Sequence, residues 1–100
     1  MNTQPNKSAL RILGIIDLLK GRSLNGLSHG EIAKSLKTNP TNVSRDLATL
    51  VEAGFVAKLE SDRYALSIKL LQIAKAHELE LQNGKGRIGE LEARVNAGAR

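Results

Sequence analysis

Apolar residues recur at helical spacing along most of this chain and at strand spacing over one short stretch. In SALRILGIIDLLK (8–20), Ile12, Leu13, Ile16 and Leu19 share one helix face, and Leu10, Ile15 and Leu18 add a second. Only Arg11, Gly14 and Asp17 keep a narrow polar stripe, so this helix needs cover on two sides. Either a second subunit or the later helices provide the second cover. GRSLNGL (21–27) has loop composition. Ser28 and Glu31 then stand at capping-box spacing and predict a helix over 28–36, with Ile32, Ala33 and Leu36 inward. After the short turn KTN, Thr38 or Asn39 can cap a third helix. Pro40 suits its first position, and Gly54 stops it after about Ala53. Val43, Leu47, Leu50 and Val51 form its predicted inner side.

The period then changes to two. Phe55, Ala57 and Leu59 alternate with Val56, Lys58 and Glu60, and Tyr64, Leu66 and Ile68 with Ala65 and Ser67, which predicts a hairpin turning at Ser61–Asp62. Ser67 can cap a further helix, IKLLQIAKAHELELQ, with Leu70, Leu71, Ala74 and Leu81 on one side. NGKG (83–86) predicts a break. Beyond it, Ile88, Leu91 and Val95 predict a short helix that needs a surface to dock on. Helix, helix, short turn, helix, hairpin, helix is the order of a winged helix-turn-helix, a mostly α fold of the α+β class. The predicted organisation is a disordered N-terminus (1–7), the winged helix-turn-helix domain (8–82), a linker (83–86), and a short C-terminal helix with tail (87–100).

Composition refines this picture in three ways. Trp is absent and Tyr64 and Phe55 are the only aromatics, so the core must be aliphatic. Cysteine is absent too, which removes disulfides, zinc–thiolate sites and thiol nucleophiles together. The polar start MNTQPN has no signal-peptide core and reads as an authentic N-terminus, and no segment is apolar for the length of a bilayer. A cytoplasmic, nucleoid-associated protein without membrane contact is the expectation.

The net charge of +5 favours a polyanionic partner. The excess lies at the two ends, with Lys7, Arg11, Lys20 and Arg22 against Asp17, and Lys85, Arg87, Arg94 and Arg100 against Glu90 and Glu92. The middle is balanced, so contacts there depend on placed residues. The outward side of the third helix carries Thr41, Asn42, Ser44 and Arg45, with Thr49 a turn later. Arg pairs with guanine O6 and N7, Asn with adenine N6 and N7, and Ser or Thr with bases or phosphates. The first turns of a recognition helix are the part that meets base edges, and its free amides attract a phosphate. A solvated helix face would carry polar residues as well; it is the ordered set of elements around this face that points to double-stranded DNA.

No catalytic fingerprint accompanies these residues. His29 reads as a cap-region residue and His77 as a partly buried structural one, and their spacing suits no metal. Glu78 and Glu80 point differently around a helix. The expectation is a non-enzymatic protein with no cofactor and no metal.

Residues 8–79 resemble the N-terminal DNA-binding domain of the IclR-type transcriptional regulators, most specifically in ATLVEAGFV and YALSIKLLQIA. The resemblance implies a winged helix that dimerises partly through its first helix, base contacts from Thr41, Asn42, Ser44 and Arg45, and backbone contacts from the wing around Arg63. Three departures stand out: Asp46 replaces a usually apolar residue, the proline is displaced by one position, and Lys37 occupies a turn position where glycine is common. The family's effector-binding domain is absent, so the chain is a stand-alone regulator or a piece of a longer one. Together these observations predict a homodimeric, sequence-specific transcription regulator. Ser28, Lys37, Thr38, Asn39, Thr49, Lys58 and Arg63 would hold the DNA backbone, and Leu10, Ile15, Leu18, Ile88 and Leu91 would form the dimer interface. The alternative is a winged-helix adaptor that binds proteins, with a partner on the C-terminal helix.

Overall fold

The computed structural model describes residues 3–99. The chain divides into two compact units, Met1–Lys69 and Leu70–Arg100. The first holds α1 (Lys7–Leu18), β1 (Leu27–Ser28), α2 (His29–Leu36), α3 (Pro40–Glu52), β2 (Val56–Lys58) and β3 (Arg63–Leu66). The last helix, α4 (Ile68–Gly98), begins in the first unit and from Leu70 onward makes up the second. The strands form an antiparallel sheet in the order β1-β3-β2. This is a winged helix-turn-helix, with α2 and α3 as the helix pair and β2–β3 as the wing.

The core is aliphatic, as composition requires. Ile15, Leu19, Ile32, Val43 and Leu47 are its largest fully buried side chains, joined by Leu27, Leu50 and Val56. In α1 the stripe facing α2 and α3 is Ile12, Ile15, Ile16 and Leu19, a set at i, i+3, i+4 and i+7. Ile15 therefore lies inside the core, which corrects its assignment to a dimer interface, and Leu18 is partly buried against the same core. Leu10 and Leu13 keep the exposed side, at 56% and 57% exposure. In α3 the corresponding stripe is Val43, Asp46, Leu47 and Leu50. Val51 falls one position beyond it and stays exposed, not in the core as its inclusion in the inner side implied.

Three further boundaries differ from expectation. Helix α1 begins at Lys7 because Asn6 caps it, its Oδ1 accepting from the Ala9 amide at 2.9 Å. Ordered helix thus enters the segment expected to be disordered, of which Met1 and Asn2 lie outside the described residues. The loop after α1 contains β1, two residues long and too short to show a period, with Leu27 opposite Tyr64 and Ser28 opposite Arg63. Gly26 permits this pairing: its φ is +65°, and a Cβ there would lie 2.4 Å from the Tyr64 carbonyl oxygen. Finally, α4 runs unbroken through 83–86, where a linker was expected. Gly84 and Gly86 weaken a helix by about 1 kcal/mol each, but neither adopts the left-handed conformation that ends one. Ser67 does not cap α4 through its hydroxyl, which donates to the Gly54 carbonyl. His77 is exposed on α4, not partly buried.

Both helices of the helix-turn-helix close with the same device. After α3, the Phe55 amide donates to Leu50 O at 2.9 Å and the Gly54 amide to Val51 O at 3.0 Å, with Gly54 left-handed at φ +84°. After α2, the Thr38 amide donates to Ala33 O at 3.2 Å and the Lys37 amide to Lys34 O at 3.3 Å. Here the left-handed residue, at φ 53°, is a lysine.

Candidate nucleic-acid interface

The start of α3 is held by a local polar cluster. Asn39 caps the helix, accepting from the Asn42 amide at 2.8 Å, and the Asn42 Nδ2 donates to Thr38 Oγ1 at 3.0 Å. Asn42 is consequently half-buried, with its carbonyl oxygen and a second amide proton left for a partner. Pro40 needs no amide partner at the first position. From this start Thr41, Ser44, Arg45 and Thr49 are all exposed on the outer side. Thr49 Oγ1 donates back to the Arg45 carbonyl at 2.9 Å. Ser44 Oγ lies 2.8 Å from His29 Nε2, a link from the recognition helix to the first turn of α2 that sequence reasoning missed. Among the described residues, the Arg45 guanidinium has no ion-pair partner.

The residues assigned to the DNA backbone divide into two groups. Ser28 forms a complete capping box with Glu31: Ser28 Oγ accepts from the Glu31 amide at 3.1 Å, and Glu31 Oε1 accepts from the Ser28 amide at 3.4 Å. Hydrogen bonding with Ser28, followed by the Arg63 guanidinium, holds the Glu31 carboxyl below its ordinary range. Ser28, Lys37, Thr38 and Asn39 thus stand at the N-terminus of α2 and in the turn between the helices. Lys58 is exposed on the wing, 3.5 Å from Asp62. Arg63 is turned inward: Nε donates to Asn25 O at 2.8 Å, Nη2 to Gly26 O at 3.1 Å, and Nη1 pairs with Glu31 at 2.9 Å. Its guanidinium fastens the wing to the loop before β1 and to Glu31 in the first turn of α2.

A second connection reaches α3 from behind. Arg11 of α1 grips Asp46 with two bonds, Nε to Oδ2 at 2.5 Å and Nη2 to Oδ1 at 3.0 Å. The Asp46 side chain is 3% exposed and that of Arg11 24%. The hydrogen bond to Asp46 holds the guanidinium above its ordinary value. The sequence signal was a lone acid in the apolar stripe Val43, Leu47, Leu50. At the other end of α3, Lys69 donates to the Ala53 carbonyl at 2.9 Å and lies 4.8 Å from the Phe55 ring centroid. The orientation of α3 is set at both ends and along its inner side, and on its outer side the Thr41 hydroxyl and the Arg45 guanidinium have no side-chain partner among the described residues.

A match to known proteins agrees with this geometry. Residues 12–58 match the family described as bacterial regulatory protein, arsR family, a helix-turn-helix family. The matched segment takes in most of α1, the whole helix pair and β2. It supports DNA-binding transcription regulation as the function of this domain. No curated protein and no solved structure matches the chain.

Proposed function

We propose that the protein is a sequence-specific, double-stranded-DNA-binding transcription regulator that acts as a homodimer. The observation that carries this reading is the free Arg45 guanidinium in the exposed row Thr41, Ser44, Arg45 on the first turns of a firmly anchored α3. Arg45 and Asn42 read base edges in the major groove, and Thr41 and Ser44 support them. Ser28, Lys37, Thr38, Asn39, Thr49 and Lys58 hold phosphates, helped by the free amides at the starts of α2 and α3. Arg63 serves by positioning the wing. Leu10, Ile88 and Leu91, each more than half exposed, are available for a dimer. The affinity to IclR-type regulators in particular rests on ATLVEAGFV and on YALSIKLLQIA, the second of which lies beyond the arsR-matched segment. Among the described residues no helix is long and apolar enough to cross a membrane, and we assign the protein to the cytoplasm, on the nucleoid.

Lys37 gives this reading a test. A left-handed non-glycine residue costs about 1–2 kcal/mol, and glycine does the same work at Gly54 without that cost. Strain kept in a turn next to a recognition helix points to a use for the side chain. Lys37→Gly is expected to stabilise the fold by up to about 1 kcal/mol, measured as a higher urea midpoint. The same variant is expected to weaken binding to mixed-sequence duplex DNA in fluorescence anisotropy, and to lower the slope of log K against log salt by about 1. Wild-type binding insensitive to salt would point to the protein adaptor instead.

A further inference from the structure

From Leu70 onward, α4 carries a second pattern that the winged helix does not use. Leu70, Ala74, His77, Leu81, Gly84, Ile88, Leu91 and Val95 follow one another at steps of four, three, four, three, four, three and four. That is the spacing of a coiled-coil heptad seam, averaging about 3.5 residues per turn, with six of its eight positions apolar and His77 and Gly84 the exceptions. No residue of α4 is buried; Leu81, Ile88, Leu91 and Val95 are 54–61% exposed. Ile88, Leu91 and Val95 place β-branched residues at one seam position and leucine at the other, the arrangement that favours two parallel strands. Leu71 and Ile73 widen the seam at its beginning.

The flanking charges decide the occupant. Glu80 and Arg87 immediately precede the seam residues Leu81 and Ile88, and Lys85 and Glu92 immediately follow Gly84 and Leu91. In a parallel pair in register, the residue before one seam position faces the partner residue five places later. Glu80 then meets the partner's Lys85, and Arg87 meets the partner's Glu92. Two-fold symmetry doubles both pairs, so every flanking contact between two charged residues joins opposite charges; the other flanking contacts are Ile73 with the partner's Glu78 and Arg94 with the partner's Ala99. The antiparallel arrangement with full overlap sets Lys85 against Lys85, Arg87 against Arg87 and Glu78 against Glu92, leaving only Glu80 with Arg94 attractive.

We infer that α4 forms a parallel, in-register two-stranded coiled coil with α4 of a second copy of this chain. The inference rests on the homodimer reading above and supplies its interface, and its test involves no DNA. The chain has no native cysteine, so introduced thiols report geometry cleanly. Full-length Leu91→Cys is expected to form a disulfide-linked dimer under mild oxidation, and Gln82→Cys, on the opposite side of the helix, is not. An equal mixture of Leu81→Cys and Leu91→Cys chains is expected to give no mixed dimer. In sedimentation equilibrium, Glu80→Lys is expected to weaken the dimer roughly tenfold, as two attractive pairs become repulsive. Adding Lys85→Glu should restore it. Mixed Leu81–Leu91 crosslinks would overturn the parallel arrangement. A dimer indifferent to Glu80→Lys would overturn the coiled coil while keeping the homodimer, and a monomer at all concentrations would overturn both.

Discussion

Stranding the Asp46 carboxylate by replacing Arg11 with methionine is expected to cost the fold about 3–5 kcal/mol. Asp46 is 3% exposed in the middle of the α3 core stripe, and both of its oxygens are bound by Arg11. Without that partner a charge stays in an aliphatic core where nothing else among the described residues bonds to it. The reverse change is expected to be mild. In Asp46→Leu an apolar side chain completes the stripe with Val43, Leu47 and Leu50, while Arg11, already a quarter exposed, can turn its head to water. Apolar replacement of buried pairs is often neutral or stabilising. Urea unfolding should therefore show a much lower midpoint for Arg11→Met, a near-native one for Asp46→Leu, and substantial recovery in the double variant. A domain of this size has about 5–15 kcal/mol in all, so the first loss is a large share. Equal losses in the two single variants would show that the pair is not held in a core.

The second large effect concerns binding. Arg45→Ala is expected to lose about 1–3 kcal/mol on the cognate site, roughly ten- to a hundredfold, and to relax the preference at one base pair. Its stability should barely change, because Arg45 is exposed in mid-helix and alanine is a good helix former. Competition between the cognate site and single-base variants of it reads both effects. An equal loss on every sequence would place Arg45 on a phosphate. Ser44→Ala is a useful comparison, because it also removes the link to His29 and so disturbs the α2–α3 pair.

Much of the fold was legible because local signals agreed with one another. The Ser28–Glu31 capping box, Pro40 at a helix start and Gly54 at a helix end all stand in their expected roles. What escaped was non-local. Which face of α1 is inner depends on where α2 and α3 lie, so Ile15 looked available for a partner when it was core. The strand Leu27–Ser28 exists only because β3 pairs with it. Asp46 looked like a departure from an apolar pattern until Arg11, 35 residues earlier, supplied its counter-charge. The site was legible in its exposed polar row, which follows from helix periodicity. Arg63 was not, since its inward bonds depend on how β1 and β3 meet.

Base reading by a homodimer is tested most directly by selection of the full chain on a random duplex-DNA pool at near-physiological salt, followed by sequencing of the bound fraction. A base-reading homodimer predicts an enriched site with two inverted halves, whose information falls where Arg45 and Asn42 reach. Recovery of unenriched sequence, with weak binding that salt abolishes, would contradict it.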